Sequence, residues 1–177
     1  MEQAPIIVFS ATVRSKAAPD AVYRVVADVA THLDWAGERA RDKRFRLLTL
    51  DAAAGPASVG TTFASTGANS KNGGMTFHDR STVTDATPPR AFAFETESRL
   101  ERRHRPTWHG RFAHRYTITS DGSGARVDYT CAVYPGNYRP YWLHPLCRPA
   151  TRRMVQRAMR RNMENLARLA EAAAVPR

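Results

Sequence analysis

A histidine oriented by a carboxylate is enough to move a proton. His114 and Asp79 are the pair of that kind that this chain offers. His114 would act as the general base and Asp79 would orient it, with Tyr116, two residues along from His114, as a further proton donor. The same two residues also read as a buried pair that satisfies itself, and no spacing in the sequence proves that they meet. Other chemistries have weaker signatures. His104, His109 and His114 recur at intervals of five, which does not put all three on one strand face, so no metal site is expected. There is no GxSxG nucleophile turn and no phosphate-cradling glycine loop, Gly73-Gly74 being a turn, and no cofactor is expected. Cys131 and Cys147 form no CxxC and read as ordinary thiols.

The residues that would surround such a site follow from strand alternation. Phe77, Asp79, Ser81 and Val83 share one parity, as do Phe92, Phe94, Thr96 and Ser98. Trp108, Gly110, Phe112, His114, Tyr116 and Ile118 share another inward set, with Val127, Tyr129, Cys131 and Val133 facing them, which leaves His109, Arg111 and Arg115 to solvent. The inward sets make a mostly apolar wall with a few polar groups: Asp79, Ser81, Thr96, His114, Tyr116 and Tyr129. That composition suits a small hydrophobic ligand, because apolar walls give affinity and a few polar groups fix orientation. Each tyrosine also reads as an ordinary core residue with one satisfied hydroxyl. Met159 and Met163 would add flexible thioethers from a helix. The segment 134–148, which carries Trp142, reads either as a kinked connector plugging the sheet end or as a portal making transient contact with an anionic membrane surface.

Placing these residues requires a sheet and one long helix. Residues 6–15 alternate as a strand. Pro19 opens a helix whose Val22, Val25, Val26 and Val29 fall on one face, and a second short helix spans roughly 29–35. Strands are expected near 43–51, 59–68, 75–85, 90–100, 107–120 and 124–134, separated by Gly55-Pro56, Asn72-Gly73-Gly74, Pro88-Pro89 and the hairpin signal Asp121-Gly122-Ser123-Gly124. Pro140, Pro145 and Pro149 delay the last helix to about residue 149. Its apolar stripe reads Val155, Met159, Asn162, Leu166, Leu169 and Ala173, supplemented by Met163 and Ala170, with Arg152, Arg153, Arg157, Arg160, Arg161 and Arg168 largely off it. Strands outnumber helices and the helices sit at the ends. This predicts an α+β fold, a curved antiparallel sheet gripping the C-terminal helix, in a single domain over 1–177.

The net charge of +11 is the unusual bulk feature, and 24 of the 27 basic residues are arginine. Such charge attracts nucleic acid, anionic lipid or an acidic partner, or it is a solvated surface in a GC-rich codon background. No specific nucleic-acid role is expected, because Trp108 and Phe112 in the basic 99–115 stretch fall on the inward parity. The run Ile6-Ile7-Val8-Phe9 is too short for a signal peptide and no stretch suits a membrane span, so the expected location is the cytoplasm.

The order of elements resembles the START-like (SRPBCC, polyketide cyclase/dehydrase-like) superfamily. The resemblance rests on Pro19-Asp20-Ala21-Val22-Tyr23-Arg24-Val25-Val26-Ala27-Asp28 followed by Leu33-Asp34-Trp35, on Val59-Gly60-Thr61-Thr62-Phe63, and on Val83 through Phe94 with its Pro88-Pro89. Tyr116-Thr117-Ile118 with Gly122 to Val127, and the closing Asn162 to Leu169, complete it. The resemblance covers nearly the whole chain. It implies the helix-grip fold with an internal cavity between sheet and helix. The family spans lipid carriers, hormone receptors, cyclases and aromatases, so two functions stay open. One is the binding of a lipid, polyketide or aromatic molecule, which the apolar lining favours. The other is a polyketide cyclase/dehydratase-type enzyme using the histidine, tyrosine or aspartate of the cavity. The basic run Arg99-Leu100-Glu101-Arg102-Arg103-His104-Arg105 departs from the family's pattern.

Overall fold

The computed structural model describes residues 3–36, 46–69, 75–102, 106–137 and 148–174. The strands are β1 (Ile7–Ser15), β2 (Arg46–Asp51), β3 (Thr62–Asn69), β4 (Met75–Thr87), β5 (Ala91–Arg102), β6 (Trp108–Asp121) and β7 (Gly124–Tyr134). They form one antiparallel sheet in the order β1-β7-β6-β5-β4-β3-β2. Helix α1 (Pro19–Ala27), a 3-10 turn at Val29–Thr31 and helix α2 (His32–Trp35) follow β1, and the long helix α3 (Arg148–Ala174) ends the described chain. This is the helix-grip arrangement that the element order predicts.

Local chemistry explains most of the boundaries. Pro19 stands at the start of α1, where its missing N–H has no partner to lose. The hairpin from β6 to β7 turns at Gly122, whose φ of +62° suits a residue without Cβ. Gly124, at the start of β7, passes so close to the Ser15 carbonyl that any side chain would collide with it. β3 begins at Thr62 and not at residue 59. Val59–Thr61 is part of a turn, closed by the Thr61 N–H donating to the Ser58 carbonyl at 3.0 Å, with Gly60 at φ +86°. β4 carries a register shift between Val83 and Asp85. The bulge moves the inward set from Val83 to Ala86, which pairs with Phe92.

The core lies between α1, the sheet and α3. Val22 and Val26 of α1, Val83, Phe92, Ile118 and Val127 of the sheet, and Met163, Leu166 and Ala170 of α3 are all but sealed from water. Each large apolar side chain buried there stabilises the fold by about 1.5–3 kcal/mol. The buried face of α3 differs from the expected stripe. Met163, Leu166, Ala167 and Ala170 are buried, Val155, Met159, Asn162 and Leu169 are half-buried, and Ala173 is exposed. The helix is therefore turned by roughly 60° from the expected orientation. Two contacts with the end of β1 account for the turn. The Ser15 hydroxyl reaches the Ala167 carbonyl at 3.4 Å, and the Glu171 carboxylate accepts the Lys16 N–H at 2.7 Å. Small side chains at 167 and 170 permit that approach.

Candidate functional site

The concave face of the sheet changes character along the strands. At one end Phe92, Ile118 and Val127 are closed off by α1 and α3. Toward the other end Phe77, Asp79, Trp108, Gly110 and Phe112 stay partly open. α3 packs along β1, α1 and α2. Met159 and Phe112 touch both the main core and a second apolar cluster of Ile7, Phe9 and Val133, so they stand where the two meet.

Between the ends lies an aromatic and polar group centred on His114. Its ring stacks on Phe94 at 4.6 Å, and its Nδ1 is 2.8 Å from the Tyr129 hydroxyl. Tyr129 is also hydrogen-bonded to the Cys131 thiol. His32 of α2 stands on the same aromatic group, 6.2 Å from Phe94 and 4.6 Å from Trp35, with Nε2 2.9 Å from the Val26 carbonyl. Burial, reinforced by His32, pulls His114 down from 6.5 to about 4. Burial lowers His32 to about 4 as well, against the opposing pull of the Val26 carbonyl and Asp28. Both rings are neutral at pH 7. Burial also pushes the Cys131 thiol up to about 12 and drives Tyr116 and Tyr129 upward, so all three keep their protons. Cys131, Tyr129 and His114 thus make a chain of neutral groups with a consistent donor sequence in either direction. No charged group lies in that chain.

The hydroxyl-rich part lies on β4 and β5. Ser81 and Thr96 face each other across the strand pair, with their hydroxyl oxygens 2.8 Å apart and both side chains buried. One rung further on, the Ser98 hydroxyl donates to Asp79. Burial raises Asp79 above the usual carboxylate range despite Ser98, and its Oδ1 has no hydrogen-bond partner among the described residues. Asp79 and His114 do not form a pair. Asp79 is in register with Ser98 and Ser98 with Gly110, four residues from His114 along β6, while His114 takes Tyr129 as its partner.

The expected inward positions are otherwise where alternation puts them. Phe92, Phe94, Ser81, Thr96, Tyr116, Tyr129 and Met163 are buried, and Phe77, Phe112 and Met159 are half-buried. Trp142 and most of the 134–148 connector lie outside the described residues, as does His104.

A family model described as polyketide cyclase / dehydrase and lipid transport matches residues 7–171. The chain belongs to that family. Solved structures of the same fold include an uncharacterized protein from Rhizobium leguminosarum, with a TM-score of 0.65 and 13% identity over 94% of this chain and 95% of that one. Protein CV1439 from Chromobacterium violaceum has a TM-score of 0.60 and 15% identity, covering 93% of this chain and 96% of its own. Ara h 8.0201 has a TM-score of 0.57 and 8% identity over 94% and 98%. No curated protein matches the sequence. Identities this low establish the shared fold, and the family suggests hydrophobic ligand binding or cyclase-type chemistry.

Two open clefts lie away from the inner face of the sheet. One, of about 490 Å³, runs between Pro19, Pro88-Pro89, Arg90 and Ile118 to Ser120. The other, of about 340 Å³, lies between α1 and Ala173. Neither contains His114, Asp79 or the Ser81–Thr96 pair. His32 and Phe63 join the aromatic group without having been expected there; Phe63 lies edge-on to Phe94 at 5.2 Å. His32 was legible in principle, since it follows Val29 by three residues and continues the apolar spacing of α1.

Proposed function

We propose that this chain binds a small hydrophobic molecule, a lipid, polyketide or aromatic compound, on the half-open part of its concave face beside Met159. One observation carries the reading. The buried Ser81–Thr96 hydroxyl pair and Asp79 lie on the same inner face as Phe94 and Phe112, so an apolar surface adjoins a few fixed polar groups. Phe77, Phe112 and Met159 would form the accessible wall, with Phe92, Phe94, Tyr116, Tyr129 and Met163 behind it. An uncharged apolar fluorophore should bind with about micromolar Kd. Met159→Trp should abolish binding and leave the unfolding transition in place. A fluorophore that does not bind wild type, or that binds Met159→Trp equally well, would refute the proposal.

A second reading, a cyclase/dehydratase-type enzyme, draws on Asp79, whose unpartnered Oδ1 and raised pKa suit a group that exchanges a proton. His114 is the poorer base, because a ring held near 4 has little proton affinity at pH 7. Asp79→Asn should abolish turnover of a cyclase and leave fluorophore binding intact. For a carrier, Asp79→Asn and His114→Ala should change affinity alone.

A further inference from the structure

The arginine excess is not spread evenly. On the sheet, Arg14 meets Asp121 at 2.6 Å, Arg99 meets Glu101 at 2.7 Å, Arg111 meets Glu95 at 3.7 Å, Arg115 meets Asp85 at 3.0 Å and Arg126 meets Asp128 at 2.9 Å. Each of those charges is answered locally. α3 is different: it carries seven arginines against two glutamates. Glu171 is turned to the end of β1, where it accepts the Lys16 N–H and the Ser15 hydroxyl. That leaves Glu164, which holds Arg160 at 3.1 Å. Arg153, Arg157 and Arg161 are exposed and have no carboxylate partner among the described residues, and Arg168 bonds only to the neutral Asn165 amide.

These arginines lie in a row. At 3.6 residues per turn, Arg153, Arg157, Arg160, Arg161 and Arg168 fall within about 100° of the helix circumference, with Glu164 as the one carboxylate among them, opposite Met163, Leu166 and Ala170. The row runs about 23 Å at 1.5 Å per residue. Like charges four residues apart repel one another and weaken the helix. A solvated surface has no need of such clustering, whereas a polyanion would relieve it.

We propose that the outer face of α3 docks on an anionic phospholipid bilayer through Arg153, Arg157, Arg160, Arg161 and Arg168. A straight row on a convex helix meets a plane along its whole length. The guanidinium fork matches phosphate oxygens, and it is weakly hydrated enough to work at a headgroup layer. Met154, 40% exposed at the edge of the row, adds an apolar side chain to the interface. Reading a nucleic acid would call for aromatic groups or amides on the same stripe, and α3 carries no aromatic residue. The apolar face of α3 is spent on the core, and among the described residues no helix is long and apolar enough to cross a membrane. The contact is therefore peripheral and electrostatic.

The test is co-sedimentation of the full chain with phosphatidylcholine vesicles, with and without phosphatidylserine. Binding should require phosphatidylserine and should fall steeply as added salt shortens the Debye length from about 10 Å at 0.1 M to about 3 Å at 1 M. Each arginine near such a surface contributes about fivefold, so R153Q/R157Q/R161Q should lose about 100-fold in partitioning. The sheet triple R99Q/R111Q/R115Q removes the same formal charge and should lose less than about threefold. Equal losses in the two triples would reduce the effect to net charge and overturn the proposal. Binding to pure phosphatidylcholine, or tighter binding to random RNA than to phosphatidylserine vesicles at the same salt, would overturn it as well.

Discussion

Ile118 and Phe112 lie on the same strand and the same face, yet Ile118 is sealed and Phe112 is half-open. The same contrast runs along β4, from Val83, which is fully enclosed, to Phe77. At the closed end α1 and α3 lie over the sheet and the lining is almost wholly apolar. Toward the open end hydroxyls, a carboxylate and a histidine enter the same inward positions. The difference shows how one alternating pattern serves two purposes. Alternation decides only which face a side chain takes, and the helices decide which part of that face becomes core.

The largest effect that would sharpen this contrast is expected at Leu166, at the centre of the closed end. Leu166→Ala should cost about 2–5 kcal/mol in urea unfolding, as for other enclosed leucines. Arg161→Ala, on the outer face of the same helix, should cost less than about 1 kcal/mol. Equal costs would mean that α3 does not present its Leu166 face to the sheet.

Acid should act next, on the histidines between the two ends. Burial holds His32 and His114 near 4 instead of 6.5, so the folded chain binds fewer protons than the unfolded one between those values. Stability is therefore complete above pH 6.5 and declines as the pH falls toward 4. Urea midpoints taken from neutral pH down to about pH 4 should show this loss, and His32→Phe should remove its share of the slope. Midpoints that stay level over the range would mean that the rings are hydrated and the middle of the face is open.

The smallest expected effect belongs to the hydroxyl pair. Ser81→Ala removes the 2.8 Å contact and leaves the buried Thr96 hydroxyl without it, at a cost of about 1–3 kcal/mol. Adding Thr96→Val should restore most of that loss. If the single change proves neutral, water already reaches Thr96 and the open end extends further down β5.

The face of each strand was legible because a sheet with one buried side alternates residue by residue. Phe92, Phe94, Thr96, Tyr116 and Tyr129 are therefore found where their parity puts them. Partnership across strands was not legible. It depends on register, which pairs Asp79 with Ser98 and sets His114 opposite Cys131, from where its ring reaches the diagonal Tyr129 hydroxyl. The bulge beyond Val83 changes parity with no glycine or proline in Val83-Thr84-Asp85 to announce it. The rotation of α3 was hidden for a related reason. Its apolar residues cover a broad arc, and the choice within that arc rests on Ser15 and Lys16, more than a hundred and fifty residues away.

The pairing of β1 with β7 has a consequence for synthesis. Thr12 and Asp128 bond across a sequence separation of 116 residues. At about 5–20 residues per second, a ribosome would deliver the partner of β1 only about 6–20 s after β1 itself. Until then β1 has neither its neighbouring strand nor the α3 surface that covers it, and Ile7, Phe9 and Val13 wait without cover. Within this sheet, the strand made first is among the last to be secured.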